Sequence, residues 1–361
     1  MRIAVLGGSN GGYAAAADLA DRGHEVRFWR RDARAFAPVL QRQGIDLFDA
    51  AGERFVKLAL ASSELGEVLH RAELIVAPIP ATAQEELAQA MAPHLTDGQV
   101  VFLPPGSFGS VVMDRIRRKA GNHADIAFAE AGTLPYLTRK HADRVAIRVR
   151  ATRLPTGVHP SRLSHHAFPI LQSAYPSVEP LRDALDGALM NAGPIIHPPL
   201  IVMNAGPLAH FDRWDIHNEG TQPAIRHVTD ALDAERIAIR EALGYPAPHF
   251  PLADHYRTDG DEWMYGRRGH TQLVDSADWR EKIDLRSHRY MREDVGIGLA
   301  FLVSVAAWCG VPAPVAAGLL AVAGAAIGEN FRLTGRTLET LGLARLDTAQ
   351  MAHLLTNGKP E

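Results

Sequence analysis

The feature that most constrains this chain is a glycine-rich loop set between an apolar run and an alanine-rich run. The loop Gly7-Gly8-Ser9-Asn10-Gly11-Gly12 follows Arg2–Leu6 and precedes Ala14–Ala17. A strand, a glycine loop and a helix in this order form the phosphate-binding turn of dinucleotide-binding domains. Backbone amides at the start of the helix then face the pyrophosphate. The loop therefore predicts a Rossmann-type fold that binds a nicotinamide dinucleotide through Gly7, Ser9, Asn10, Gly11 and Gly12.

The tip of the second strand bears on which nicotinamide cofactor is preferred. The strand predicted over His24–Trp29 continues into Arg30, Arg31 and Asp32. A carboxylate there accepts hydrogen bonds from ribose hydroxyls, whereas guanidinium groups pair with the 2'-phosphate of NADP. The two arginines favour NADP(H), and Asp32 leaves NAD(H) open. Ser9 replaces the second glycine of the fingerprint, and its side chain is expected to take space near the pyrophosphate.

Strand-like and helix-like runs alternate through the first half of the chain. The predicted strands are Arg2–Leu6, His24–Trp29, Phe55–Ala61, Glu73–Pro78, Gln99–Leu103, Ile126–Ala129 and Arg144–Val149, and the predicted helices are Gly11–Asp21, Ser63–Leu69, Thr82–Met91 and Gly109–Lys119. This alternation predicts an α/β domain over residues 1–178, with a doubly wound parallel sheet. Ligands bind at the carboxyl ends of such strands, so we expect Pro78 to contact the cofactor and Ser107 to contact the substrate.

The second half of the chain has helical periodicity instead. It predicts an all-α domain over residues 179–361, in which the clearest helix is Pro223–Leu243. The run Val295–Gly328 holds no charged side chain, but Gly310 and Pro312 divide it into segments too short to span a bilayer. We expect two buried helices there, in the core or at the interface of a homodimer.

Composition argues against several classes of partner. A formal net charge of -3 lacks the basic excess that nucleic acids or anionic membranes attract. The single cysteine, Cys309, cannot form an internal disulfide, which suits a reducing cytoplasm. Although there are 17 histidines, neither His-Glu-x-x-His nor a Cys-His ligand spacing occurs. We expect a cytoplasmic protein with small-molecule substrates, no metal, no nucleic acid and no membrane.

Two elements of the second half carry residues suited to proton transfer. One is N-A-G-P-I-I-H-P-P, which contains His197, and the other is R-Y-M-R-E-D-V, which starts at Arg289 and contains Asp294. Histidine titrates near neutrality, a carboxylate can orient it, and an arginine can bind a substrate carboxylate. Spacing alone favours a structural interpretation, in which His197 is a core histidine and Arg289 and Asp294 form a surface ion pair at the start of a helix.

At these two elements the chain resembles the opine dehydrogenase family, which has a Rossmann domain, an all-helical second domain, an N-x(5)-H-P element and an R-Y-x-x-E-D-V element. The resemblance implies that His197 is the catalytic acid and base, that Asp294 orients it, and that Arg289 binds a substrate carboxylate. E-A-G-T-L-P-Y, from Glu130 to Tyr136, resembles the family's E-x-x-T-x-P-Y stretch and makes Glu130 and Thr133 candidate substrate contacts. The implied reaction is the reductive condensation of an amine or amino acid with a 2-oxo acid through an imine.

Two other functions stay open at this point. A ketone or alcohol dehydrogenase that resembles ketopantoate reductase or acts on 2-hydroxy acids has the same domain order. Ketopantoate reductase and the 6-phosphogluconate and glycerol-3-phosphate dehydrogenases use a catalytic lysine, and beyond Pro180 this chain has only Lys282 and Lys359. A histidine-dependent alcohol dehydrogenase on the same scaffold also stays open. A redox sensor that binds the dinucleotide without turnover is the other alternative, although it needs no proton relay. The polar, histidine-rich segment 247–280 is expected near the site and leaves the substrate undefined.

Overall fold

A computed structural model of the chain describes residues 1–257, 259–267, 269–271 and 282–359. It separates into two compact units. The first contains Met1–Ile79, Ala83–Ala188 and Ala352–Glu361, and the second contains Pro80–Thr82 and Leu189–Met351. The first unit thus continues beyond residue 178, where the sequence pattern predicts the boundary.

The first unit is built on two β-sheets. Its strands are β1 (Arg2–Leu6), β2 (Glu25–Trp29), β3 (Gly44–Asp49), β4 (Gly52–Lys57), β5 (Leu60–Ser62), β6 (Leu74–Val76), β7 (Val100–Leu103), β8 (Ala127–Ala131), β9 (Tyr136–His141), β10 (Arg144–Arg150), β11 (Leu154–His159) and β12 (Val178–Pro180). Eight strands form the sheet β12-β11-β8-β7-β6-β1-β2-β5, in which only β8 and β11 are antiparallel neighbours. The smaller sheet has the order β4-β3-β10-β9. The predicted doubly wound parallel sheet is confirmed, with the second sheet added to it.

Seven α-helices accompany these strands among the described residues of the first unit. They are α1 (Asn10–Asp21), α2 (Ala33–Arg42), α3 (Leu65–Leu69), α4 (Gln84–Met91), α5 (Gly109–Lys119), α6 (Ser164–Ala174) and α7 (Ala184–Ala188). Strands β6 and β7 are buried at every position, as central strands of a sheet covered on both faces should be.

The strand predicted over Phe55–Ala61 is wrong as a single element. The chain leaves the smaller sheet after β4 and joins the larger sheet at β5, which pairs with β2. The apolar residues of this run are buried in two different places, and Phe55 itself is half exposed. A hydrophobic pattern indicates which residues are buried but not which sheet buries them. The sequence therefore does not indicate the change of sheet.

The second unit contains helices and no strand among its described residues, which confirms the all-α prediction. Its elements are α8 (Gly193–Met203), α9 (Ala205–His210), α10 (Pro223–Ala242), α11 (Ala253–Tyr256), a π-helix (Tyr290–Leu299), α12 (Ala300–Cys309), α13 (Pro314–Ile327) and α14 (Phe331–Thr334), followed by α15 (Thr348–Asn357), which ends in the first unit. The uncharged run is divided at Gly310, as predicted. Within the described residues, no helix has both the length and the apolar character needed to cross a bilayer.

Helix α10 is joined to its neighbours in the helical unit through charged side chains. The Asp233 carboxylate accepts hydrogen bonds from Arg236 Nε and from the Leu252 backbone amide, each at 2.6 Å. The Glu235 carboxylate accepts from the amides of Val315 and Ala316 at 2.7 and 2.8 Å, so it caps the first turn of α13. These contacts indicate that α10 has a structural role in the helical unit.

Candidate active site

The glycine loop of the first unit has the geometry of a phosphate-binding turn. A Cβ on Gly12 would lie 2.0 Å from the Gly7 carbonyl oxygen, and one on Gly7 would lie 2.7 Å from the side chain of Ile79. Gly7 also has a φ of +104°, in the region that favours glycine. Only glycine lets α1 begin this close to the end of β1. The loop therefore fits a dinucleotide at the amino end of α1.

Ser9, the departure from the fingerprint, is the N-cap of α1. Its Oγ accepts a hydrogen bond from the Gly12 amide at 3.1 Å and donates one to the Pro78 carbonyl at 2.7 Å. The Ser9 side chain thus joins the loop to the end of β6. The Gly12 amide therefore already has a hydrogen-bond partner within the loop, and pyrophosphate contacts by Asn10 and Gly11 stay predictions.

Two cations from different sheets meet at Tyr13, beside the glycine loop. The Arg30 guanidinium donates to Tyr13 Oη at 3.3 Å and to the Ala35 carbonyl at 2.9 Å, and it covers Gly8, whose Cβ would lie 2.5 Å from Arg30 Nε. Lys140, on β9, places its Nζ 5.0 Å from the centre of the Tyr13 ring. Burial and the nearby Arg30 lower the pKa of Lys140. The sequence pattern does not select Lys140.

The other two residues at the tip of β2 have local partners. Asp32 caps α2, since its Oδ1 accepts from the Ala35 amide at 3.0 Å. Arg31 forms an exposed ion pair with Glu86. The Asp32 carboxylate, which the sequence analysis considered as a partner for the ribose of NAD, is therefore engaged in capping α2.

The residues expected to touch the substrate from the first unit are buried. Glu130 is fully buried on β8, and its carboxylate accepts hydrogen bonds from the Phe108 amide at 2.7 Å and from Ser110 Oγ. Ser107 and Phe108 both have positive φ values, 53° and 64°. Glu130 therefore stabilises the strained turn before α5 that contains Ser107. Thr133, in the turn after β8, is 8% exposed. Substrate contacts by these residues stay predictions.

The second unit brings His197 and Asp294 together. His197 lies on α8 and Asp294 on the π-helix, and His197 Nδ1 is 2.8 Å from Asp294 Oδ2. Their side chains are 17% and 6% exposed. Because a carboxylate accepts, the proton of a neutral imidazole resides on Nδ1, which leaves Nε2 as a proton acceptor. This is the geometry of a histidine oriented by an aspartate.

Two glycines allow the helices of this pair to approach so closely. A Cβ on Gly193, the first residue of α8, would lie 2.2 Å from Asp294 Oδ1. A Cβ on Gly298 of the π-helix would lie 2.1 Å from the ring of Pro194. Asn191 closes the turn before α8 by accepting from the Gly193 amide at 3.0 Å. The N-A-G-P segment is therefore shaped around the carboxylate of Asp294.

Arg289 forms an ion pair with Glu293. Arg289 Nη2 is 3.2 Å from Glu293 Oε2, and the arginine side chain is 60% exposed. Glu293 is buried, which raises the pKa of its carboxyl while Arg289 opposes that rise. Its Oε1 accepts from the Ala81 amide at 2.9 Å. The Glu293 carboxylate thus contacts both Arg289 and the Ala81 amide.

Sequence reasoning missed two neighbours of His197. The Tyr290 ring stacks on the imidazole with 3.7 Å between ring centres and an angle of 8°. Tyr290 Oη lies 2.7 Å from His217 Nε2. Tyr290 belongs to the R-Y-x-x-E-D-V element, but no sequence signal separates His217 from the other histidines of the helical unit.

The histidine-rich segment is only partly described, since residues 258, 268 and 272–281 lie outside the described part. Within that part, His255 packs against Trp263 and His270. Burial lowers the pKa of His255 to about 3 and that of His270 to about 4, so both are neutral at physiological pH. Among the described residues, no three His, Cys, Asp or Glu side chains are arranged to hold a metal ion.

Two protein-family profiles match this chain. Residues 180–327 match the alpha-helical domain of NAD/NADP octopine/nopaline dehydrogenase, and residues 2–110 match the N-terminus of NAD-dependent glycerol-3-phosphate dehydrogenase. The first profile covers the elements that carry His197 and Asp294. The second covers the glycine loop.

Full-length relatives give the same family. The chain is 27% identical over 361 residues to an opine dehydrogenase of Arthrobacter sp., with 96% of each chain covered. It is 26% identical over 377 residues to a vitopine synthase of Allorhizobium ampelinum, with 95% of each covered. A solved octopine dehydrogenase in complex with NADH and agmatine shares the fold, with a TM-score of 0.72, 19% identity, and coverage of 99% of this chain and 98% of that one. These matches confirm the resemblance to the opine dehydrogenase family and indicate an NAD(P)-dependent oxidoreductase.

Proposed function

We propose that this protein catalyses the NAD(P)H-dependent reductive condensation of an amine or amino acid with a 2-oxo acid, a reaction that creates a CH–NH bond. The observation that carries the proposal is the contact of 2.8 Å between His197 Nδ1 and Asp294 Oδ2. Condensation needs a group that releases and recovers a proton near neutral pH, and this histidine is oriented for that task.

The residues of the chain take distinct parts in this proposal. The amine attacks the oxo carbon and one of its protons passes to the oxygen, His197 Nε2 gives that oxygen a second proton, and the oxygen leaves as water, which leaves a protonated imine. Asp294 holds the Nδ1 proton and stabilises the imidazolium when His197 is charged. Arg289 binds the carboxylate of the 2-oxo acid by a bidentate contact. A reduced nicotinamide dinucleotide, with its pyrophosphate at the glycine loop, would supply the hydride that reduces the protonated imine.

The reductase alternative is less well supported by the helical unit. A lysine-dependent reductase needs an ammonium group directed toward the reacting carbonyl. Lys282 is the one lysine among the described residues of the second unit, and its side chain is 79% exposed beside Asp212. A histidine-dependent ketone reductase and a redox sensor are separated from the opine reaction by the amine test below.

The preference for NADP(H) is a further part of the proposal. Arg30 and Lys140 bring two positive charges to Tyr13 and the glycine loop, and Asp32 is used as a helix cap. A 2'-phosphate carries negative charge that guanidinium and ammonium groups bind well. Arg31 is less suited to this contact, because its guanidinium is paired with Glu86.

A cytoplasmic location and a homodimeric assembly, both predicted from the sequence, also belong to the proposal. For the dimer, the support is the uncharged helix α13, whose Val322 side chain is 56% exposed.

The reaction predicts that turnover depends on an amine. With pyruvate as the 2-oxo acid, NADPH oxidation is followed by absorbance across a panel of amines and amino acids. At least one amine should raise the rate above that with pyruvate alone, and His197→Ala should abolish that increase while NADPH still binds. An amine-independent rate across the panel would instead support a ketone reductase, and absence of any turnover would support a sensor.

Gly193→Ala should disturb the His197 pair without touching either residue. The added Cβ would lie 2.2 Å from Asp294 Oδ1, so the carboxylate must move away from the imidazole. We expect kcat to fall roughly 100-fold while the Kd of NADPH is unchanged. Gly318→Ala on α13, where a Cβ meets no atom within 4 Å, is the matched control. Wild-type kcat in Gly193→Ala would show that the carboxylate position is unimportant.

The cofactor proposal predicts a selective loss of NADPH affinity. Arg30→Ala and Lys140→Ala should each weaken NADPH binding about tenfold and leave NADH binding nearly unchanged, measured by fluorescence titration without substrate. Lys57→Ala, an exposed lysine of β4 in the same smaller sheet as Lys140, is the control. Equal losses for both cofactors, or tighter binding of NADH by the native protein, would overturn the NADP preference.

A further inference from the structure

We propose that Tyr290, anchored by His217, is a positioning residue that fixes the plane of the His197 imidazole. The inference rests on the proposed function for the role of His197 itself. It assigns a part in the reaction to two residues that act through the histidine rather than on the substrate.

The hydrogen bond to Asp294 alone does not fix the imidazole. It sets the direction of Nδ1, but the ring can still turn about the line from Nδ1 to the carboxylate oxygen. Tyr290 removes this freedom, because its ring is nearly parallel to the imidazole, at 8°, with 3.7 Å between ring centres. A turn of the imidazole about that line would drive it into the phenol ring. Asp294 and Tyr290 together therefore define where Nε2 points.

Tyr290 is itself held at both ends. Its backbone begins the π-helix that carries Asp294 four residues later, so the two side chains leave the same side of one element. Its Oη lies 2.7 Å from His217 Nε2, and both residues are less than 9% exposed, at 5% and 8%. The ring of His288 meets the phenol edge to face at 4.5 Å. The Tyr290 ring is therefore held by the π-helix at its backbone end and by His217 at its hydroxyl end.

The loop that presents His217 is fastened to the helix that presents His197. The Asn204 side chain, just past the end of α8, donates to the Gly220 carbonyl at 3.0 Å and accepts from Trp214 Nε1 at 2.9 Å. Inside the loop, the His217 amide donates to Asp215 Oδ1 at 3.1 Å and its carbonyl accepts from Thr221 Oγ1 at 2.9 Å. His217 is thus a rigid anchor tied to α8 through Asn204, while Tyr290 and Asp294 reach His197 from the π-helix.

Graded variants separate the stack from its anchor. Tyr290→Leu removes both and should lower kcat roughly 100-fold, with the Kd of NADPH unchanged. Tyr290→Phe keeps the stack but loses the contact with His217, and His217→Asn loses the same contact from the other side. Each of these two substitutions should lower kcat about fivefold. The double variant Tyr290→Phe/His217→Asn should have a kcat no lower than that of either single variant. Tyr245→Phe, at another buried tyrosine of the helical unit, is the control and should retain wild-type kcat.

A spectroscopic readout tests the inference without any substrate. In the native protein, the Nδ1 proton of His197 should give the far-downfield NMR signal typical of a histidine bonded to a carboxylate, and His197→Ala assigns that signal by its loss. The signal should persist in Tyr290→Phe and broaden or vanish in Tyr290→Leu, with melting temperatures confirming that both variants are folded.

The outcomes distinguish the two proposals. An unchanged signal and near-native kcat in Tyr290→Leu would overturn the positioning role. Additive losses in the double variant would overturn the anchor. If no amine supports turnover, the proposed reaction fails, and the NMR signals of the Tyr290 variants still decide whether this residue orients His197.

Discussion

The structure of the candidate site depends on one close contact, in which α8 and the π-helix touch at two glycines. At Gly193 the carboxylate of Asp294 occupies the space that any side chain would need, and at Gly298 the ring of Pro194 does so. The same contact sets the distance between His197 and Asp294. Because the π-helix also begins with Tyr290, one packing arrangement places the imidazole against both its hydrogen-bond partner and its stacking partner.

The first unit uses glycine in a related way at the cofactor loop. Gly12 lets α1 start against the Gly7 carbonyl, and Ser9, which departs from the usual glycine, caps the same helix and ties the loop to Pro78. A small polar side chain can thus replace a glycine when it satisfies two backbone groups. The positive charges that we associate with a 2'-phosphate come from separate sheets, Arg30 after β2 and Lys140 from β9.

Much of the fold was predictable because local patterns specify it. The strand β1 and the helix α5 have the predicted bounds, and α10 differs from its prediction by its last residue. The histidine and aspartate of the site required the family resemblance, since spacing alone favoured a core histidine. The positions of Lys140 and His217 could not be predicted from the sequence, because each contacts residues that are distant in sequence. The carboxylate of Glu130, which resemblance linked to substrate, also stabilises the turn before α5, and the sequence gives no sign of that contact.

The central claim is that proton transfer by His197 serves the reduction of an imine rather than a ketone. The most direct test is mass spectrometry of the product formed from reduced cofactor deuterated at the transferring position of the nicotinamide, with pyruvate and an amine. The expected product is a secondary amine that contains the amine's skeleton and one deuterium on the carbon joined to nitrogen. Deuterated lactate, formed at the same rate with and without the amine, would contradict it.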